Sequence, residues 1–297
     1  MKSELARKHL TFVIYGNDRT YYQGARFCIL SFLANWVEAN GTRPEISVLA
    51  EEPEHFANMP IKVFPISPDQ KAEWSLDNTY HFRIKNRGLK YLCDNLELSP
   101  EDKLLFLDTD TYFNVPTNVY FDSISDKNAL LFCSEVNINT LPSTNEYSHI
   151  RDRDIKLMDG SVYRTNPDSV MWASAVIGIT GKHTSAFDYA DVLIQALRQE
   201  GCEAHTLEQF ALSEALSTQV NIEPAKAWLN HYSTSGRKDW ARTVLEQFFE
   251  EHGDKPFEEQ IRLAKEVSFK RPLAEVIRGH IYKKKKKLRK LFGLKEE

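Results

Sequence analysis

The feature that most constrains this chain is Leu104-Leu-Phe-Leu107, four apolar residues that run straight into Asp108-Thr109-Asp110. An uninterrupted apolar run of strand length predicts a central strand covered on both faces, as in a parallel α/β sheet. In such sheets ligands gather outside the carboxyl ends of the strands. Alternate residues of an extended segment point the same way, so Asp108 and Asp110 are expected to project together. Two like charges side by side repel unless a cation lies between them, and carboxylate oxygens suit Mg²⁺ or Mn²⁺. The competing reading is a turn, with Asp108 as its cap and Asp110 facing water.

The flanking sequence supplies a matching α/β pattern. Leu10-Thr-Phe-Val-Ile-Tyr15 is a β-rich run that stops at Gly16-Asn17-Asp18, and Ile46–Ala50 and Ile61–Phe64 read as two more strands. Between them Phe27, Leu30, Leu33, Ala34 and Val37 recur at helical spacing until Asn40-Gly41. A helix is expected over 82–97, with Leu89, Leu92, Cys93 and Leu96 on one face, and strands over Ala129–Cys133 and Val170–Thr180. Residues 135–169 are polar and aperiodic, a length of irregular chain typical of a functional segment such as a substrate-binding lid. Helices are expected over roughly 183–199, 205–217, 239–251, 257–268 and 272–292. The reading is an α/β domain over 8–240 and a helical C-terminal extension over 241–297 that ends in a basic tail.

Charge separates these parts. From Arg278 to Glu297 nine Lys/Arg face two Glu, a charge of +7, which leaves −11 on the rest of a chain whose total is −4. An acidic body excludes nucleic acid as the expected partner. The tail interleaves Leu273, Val276, Ile277, Ile281, Leu288, Leu291 and Phe292 with its cations. It reads either as an amphipathic helix on an anionic membrane surface or as a solvated charged end. Cys28, Cys93, Cys133 and Cys202 have neither zinc-site nor redox spacing and read as reduced thiols. The first ten residues hold no apolar h-region, and no stretch reaches membrane-span length. The expected location is the cytoplasm, with peripheral attachment to the inner face of a membrane if the tail binds one.

Four further segments carry a resemblance. They are Tyr15-Gly16-Asn17-Asp18 with Tyr21 and Gly24-Ala25, then Phe82-Arg83-Ile84-Lys85, then Glu208-Gln209, and last His231-Tyr232 with Gly236, Lys238 and Trp240. With the Asp-Thr-Asp, in this order over about residues 10–240, they resemble the family 8 glycosyltransferases, the group containing glycogenin and bacterial lipopolysaccharide galactosyl- and glucosyltransferases. The resemblance implies a GT-A (nucleotide-diphospho-sugar transferase) fold, a three-layer α/β/α arrangement around a mostly parallel sheet. It implies that Tyr15, Gly16, Asn17 and Tyr21 hold the uridine, and that Asp108, Asp110 and His231 bind Mn²⁺ (or Mg²⁺) around Thr109. Arg83 matches a basic residue of the family, Gly236 and Lys238 belong to its last motif, where the lysine contacts the diphosphate, and Glu208 and Gln209 stand beside the transferred sugar. The implied reaction moves a hexosyl unit from a UDP-sugar to a hydroxyl of a glycan, glycolipid or protein, with retention. There are departures: Asp239 replaces a proline, the His231–Lys238 spacing is one residue long, and Ala173 stands where an amide side chain touches the donor, leaving Ser174 to substitute.

Individual residues keep a plainer reading beside this one. On a helix over 82–97 Lys85 lies in line with Leu89, Leu92 and Leu96, where a first-turn cation suits phosphate or a salt bridge. Arg83 points to the opposite side, so periodicity favours Lys85 and the resemblance favours Arg83. Glu208 in a first turn also suits the helix dipole. Tyr21, Tyr22, Trp74 and Tyr80 suit either stacking on a ligand or the core. Two other functions stay open: a phosphatase-type hydrolase with Asp108 as nucleophile, and a catalytically degenerate nucleotide-sugar-binding protein. Against the hydrolase, Tyr112 stands where that superfamily wants a small β-branched residue, and a whole βαβ region precedes Asp108.

Overall fold

The computed structural model describes residues 6–38, 41–273 and 276. The basic tail from Arg278 onward, and with it most of the helix expected over 272–292, lies outside the described residues.

In chain order the elements are β1 (Lys8–Ile14), α1 (Arg19–Ala34), β2 (Glu45–Ala50), β3 (Lys62–Pro65), α2 (Pro68–Trp74), α3 (Arg83–Asn95), β4 (Lys103–Leu107), β5 (Thr111–Tyr112), α4 (Asn118–Ser123), β6 (Asn128–Asn137), β7 (Ile155–Lys156), β8 (Val162–Tyr163), β9 (Val170–Thr180), α5 (Ser185–Gln199), α6 (Leu207–Ser217), β10 (Asn221–Pro224), β11 (Asn230–His231), α7 (Ser235–His252) and α8 (Phe257–Ala264). Among the described residues seven strands form the main sheet in the order β10-β6-β9-β4-β1-β2-β3. All neighbours are parallel except β9, which runs antiparallel to both β4 and β6.

The apolar runs are central strands for the expected reason. Leu104 and Phe106 enter the core between the sheet and α3, α5 and α6, while Leu105 and Leu107 enter the opposite core under α1, α7 and α8. All four are at most 1% exposed, so β4 has no polar face. β1 divides the same way, with Val13 on one side and Leu10, Phe12 and Ile14 on the other. The result is the expected three-layer α/β/α sandwich around a mostly parallel sheet.

Local chemistry fixes several helix starts. The Asp18 carboxylate accepts the Thr20 N–H at 2.9 Å and caps α1. Ser67 and Gln70 close a reciprocal capping box on α2. The expected boundary at residue 240 falls inside α7, which runs unbroken from Ser235 to His252. Ala241, Leu245, Phe248, Ile261 and Ala264 of α7 and α8 share their core with β1 and α1.

The aperiodic stretch 135–169 carries the end of β6, two short 3₁₀ turns and the β7–β8 hairpin. Its middle and its end are tied to α6 and the residue that opens it. Tyr163 Oη and Ser169 Oγ donate to Glu214 Oε2 at 2.9 and 3.0 Å, and the Tyr147 hydroxyl lies 2.8 Å from Thr206 Oγ1. No helix among the described residues is long and apolar enough to cross a membrane.

Candidate active site

Beyond Leu107 the Asp108 N–H donates to the Ala175 carbonyl at 2.9 Å, so the first aspartate stands just outside the carboxyl end of β4. Thr111 Oγ1 then bonds back to the Asp108 carbonyl at 2.8 Å and closes the turn. β5 pairs antiparallel with β11, placing Thr111 opposite His231, and the Tyr232 N–H donates to the Asp110 carbonyl at 3.1 Å. This two-stranded clip brings His231 Nε2 to 3.0 Å from Asp110 Oδ1 across 121 residues of sequence.

Helix α1 closes on the same turn at Gly24. A Cβ there would stand 2.4 Å from the Thr109 carbonyl oxygen and 3.2 Å from the Tyr232 hydroxyl. Since the nearer obstacle is backbone, Gly24→Ala must move either α1 or the Asp-Thr-Asp turn, at about 1–3 kcal/mol by overpacking. The expected outcome is a lower denaturant midpoint together with loss of Mn²⁺-dependent nucleotide-sugar stabilisation. A variant unchanged in both would mean that helix and turn do not touch as described.

The two aspartates open into a cavity of about 550 Å³ bordered by Tyr15, Asp18, Thr20, Tyr21, His81, Phe82, Lys85, Thr109, Tyr232, Lys238 and Arg242. Lys238, in the first turn of α7, places Nζ 3.2 Å from Asp110 Oδ2. Arg242, one turn further along, reaches Asp18 at 3.4 Å. Burial pushes the Asp110 carboxyl up, but the His231 hydrogen bond and the Lys238 charge outweigh it and hold it below the usual carboxylate range. Asp108 goes the other way: burial raises it, Lys85 opposes, and the Asp110 charge adds to the rise.

Lys85 anchors the floor. Its Nζ donates to Ser174 Oγ at 2.5 Å and lies 3.4 Å from Glu208 Oε2 and 3.8 Å from Asp108 Oδ1. Burial alone would lower this lysine, yet the Asp108 and Glu208 charges raise it above its ordinary value, so it stays a cation. Glu208 is raised, chiefly by burial and against the pull of Lys85. Its backbone N–H donates to Tyr80 Oη at 2.8 Å, which fixes the start of α6. Gln209 Oε1 accepts the Ser174 N–H at 3.1 Å, so Ser174 joins the lysine to both members of the Glu-Gln pair.

The residues singled out from sequence separate into three groups. Tyr15, Tyr21, Lys85, Asp108, Thr109, Asp110 and Lys238 border the cavity; Ser174, Glu208 and Gln209 lie behind Lys85. His231 touches Asp110 but borders a different cavity, on the far side of Tyr232. Gly16, Asn17, Gly236 and Arg83 are not on the cleft. The Gly16 N–H is held by Glu51 Oε2 at 2.7 Å, Asn17 is exposed, and Gly236 sits in the first turn of α7. Arg83 is 5% exposed and clamps Asp191 with Nε at 2.5 Å and a terminal nitrogen at 2.9 Å, pointing away from the aspartates. Lys85, favoured by periodicity, borders the cleft, and Arg83, favoured by the resemblance, does not. Among the aromatic candidates, Trp74 and Tyr22 are core, and Tyr80 is a hydrogen-bonding post. His81, Phe82 and Arg242 were not singled out as site residues. For Arg242 the signal was available, since it stands one helical turn beyond Lys238.

Two carboxylates and an imidazole form a mixed O/N donor set that fits Mn²⁺ or Mg²⁺ by type. Their disposition meets that fit only partly. Both Asp110 oxygens are already engaged by His231 and Lys238, so a cation there must displace the lysine. Among the described residues, the metal-type side chains whose donor atoms all lie within 4.8 Å of one another are instead Glu52, Glu54 and His55, on the turn after β2.

No family model and no curated protein matches the sequence. Among solved structures, the galactosyltransferase LgtC in complex with donor and acceptor sugar analogues matches with a TM-score of 0.52 at 14% identity, over 90% of this chain and 98% of that one. The glycosyltransferase GlyE of Streptococcus pneumoniae TIGR4 matches at 13% identity and TM-score 0.42, over 86% of this chain and 53% of that one. Mouse xyloside xylosyltransferase 1 matches at 9% identity and TM-score 0.45, over 74% and 84% of the two chains. With its single antiparallel strand β9 inside a parallel sheet, and with nearly the whole length of the galactosyltransferase matched, this chain has the GT-A fold of glycosyltransferases.

Proposed function

We propose that this chain is a metal-dependent glycosyltransferase that moves a hexosyl unit from a UDP-sugar to a hydroxyl on a glycan, glycolipid or protein, with retention. The observation that carries the reading is the placing of Asp108, Asp110 and Lys238 outside the carboxyl end of β4, on a cavity large enough for a nucleotide sugar, with His231 bonded to Asp110 from behind. A divalent cation held by Asp108, Asp110 and His231 would supply Lewis-acid neutralisation of the diphosphate.

The chain's own residues then divide the remaining work. Lys238, released from Asp110, and Arg242 offer positive charge at the rim where a diphosphate leaves. Lys85 lies between half-buried Asp108 and buried Glu208 and offsets the charge of both from beneath. Of the Glu208-Gln209 pair, Glu208 is held by Lys85 and Ser174 and the Gln209 carbonyl by the Ser174 N–H, so the Gln209 amide N–H₂ is the group proposed to meet the transferred sugar. Tyr21 and Phe82, 46% and 45% exposed on the cavity border, offer apolar surface to the donor's flat groups.

The test is thermal-shift screening of UDP-, GDP-, CDP- and ADP-sugars with and without Mn²⁺. A ligand at a hundredfold excess over its Kd stabilises by about 2.7 kcal/mol, about 5–11 °C at 2–4 °C per kcal/mol. The expected result is a shift of that order from a UDP-sugar that needs Mn²⁺. Absence of Mn²⁺-dependent stabilisation by all four would remove this reading.

A further inference from the structure

A second cavity of about 540 Å³ lies behind the β5–β11 clip, between the start of α7 and the segment that follows α8. Among the described residues it shares only Tyr232 with the cleft described above. Arg237, Lys265 and Lys270 border it, all three exposed, and none of them forms an ion pair with the described residues. No Asp or Glu among the described residues borders it. Cations gathered without a carboxylate partner among the described residues are conspicuous where the chain outside its tail carries −11.

The rest of the lining narrows the ligand. The Tyr112 and Phe269 rings stack at 4.2 Å and give the cavity an apolar side. Trp240, also on the lining, has an indole N–H that is buried and without a hydrogen-bond partner. Guanidinium and ammonium groups recognise phosphate through charge-assisted hydrogen bonds. The volume falls in the range of small-molecule sites, well beyond the needs of a bare phosphate ion.

We infer that this cavity is a separate binding site for a phosphate-bearing sugar, its phosphate held by Arg237, Lys265 and Lys270 and its ring packed on the aromatic side. The inference does not depend on the transferase reading, because binding is measured directly.

The experiment is calorimetric titration of the full chain with glucose 6-phosphate, with glucose as the uncharged control. Vesicles containing phosphatidic acid present the same phosphate chemistry on a lipid surface. Saturable binding of glucose 6-phosphate is expected, weakened at least about tenfold in Lys265→Glu/Lys270→Glu, since two charge-assisted contacts are reversed. Arg242→Glu, on the other cleft, should change it by less than about twofold, because additivity holds for separate sites. Lys265→Gln/Lys270→Gln, which removes charge without adding it, should weaken binding in the same direction and guards against misfolding of the first variant. Four outcomes overturn the inference: no binding to the parent chain, equal affinity for glucose, loss through Arg242→Glu rather than the lysine pair, or binding to vesicles alone.

Discussion

Asp110→Asn should lower Mn²⁺-dependent hydrolysis of a UDP-sugar, measured without acceptor, on the order of 10³-fold while the protein stays folded. The size follows from removing one electrostatic stabiliser at a developing negative charge. The fold is insulated from the change because the backbone at this position is held independently, with the Tyr232 N–H on the Asp110 carbonyl and β5 paired to β11. The side chain is what changes. Asp110 receives His231 on one oxygen and Lys238 on the other. Asparagine offers one acceptor and turns an N–H₂ donor toward a second donor, so one partner must leave. Circular dichroism and the melting temperature should therefore stay near the parent's while turnover collapses. A variant that hydrolyses the donor at the parental rate, with the same Mn²⁺ requirement, would end the metal reading of this pair.

That pair was legible in sequence because β4 is polar on neither face, and a strand with no polar face must be central. Strand direction is a different matter. Alternation and apolar runs look the same in either direction, so Val170–Thr180 was readable as a strand but not as the antiparallel member of the sheet. The β7–β8 hairpin has two residues per strand, too few to show any period. The sequence puts the start of α7 four residues late, since Ser235, Gly236, Arg237 and Lys238 carry no apolar periodicity. Arg242 aligns with Lys238 only on a helix that starts before 238, so the signal it carries depends on that start. His231 was found through its neighbours in sequence, but only the β5–β11 pairing explains why it reaches Asp110.

The clearest separation of local pattern from resemblance lies in α3, where Arg83→Met and Lys85→Met should have opposite effects. Arg83 forms a two-point clamp on Asp191, and both side chains are under a tenth exposed. Removing one partner of a buried ion pair leaves the other without compensation, at about 3 kcal/mol or more. Arg87, 3.8 Å from Asp191, and Gln195, at 3.0 Å, soften but do not replace the clamp. Arg83→Met should therefore melt roughly 8 °C lower, at 2–4 °C per kcal/mol, yet keep the Mn²⁺-dependent shift given by a UDP-sugar. Lys85→Met should do the reverse. Glu208, already raised by burial, can take a proton when the lysine is gone, which limits the stability loss. The cavity floor then loses the cation that sits between Asp108 and Glu208, and the ligand-induced shift should vanish. Differential scanning fluorimetry of both variants, with and without ligand, reads the two effects in one experiment. An Arg83→Met protein of parental stability that no longer responds to the UDP-sugar would return the cleft role to Arg83. The helical period puts Lys85 on the leucine stripe that faces the sheet, and Asp108 stands at the end of that sheet's central strand. That geometry is why the lysine, rather than the arginine two residues before it, is expected to answer to the ligand.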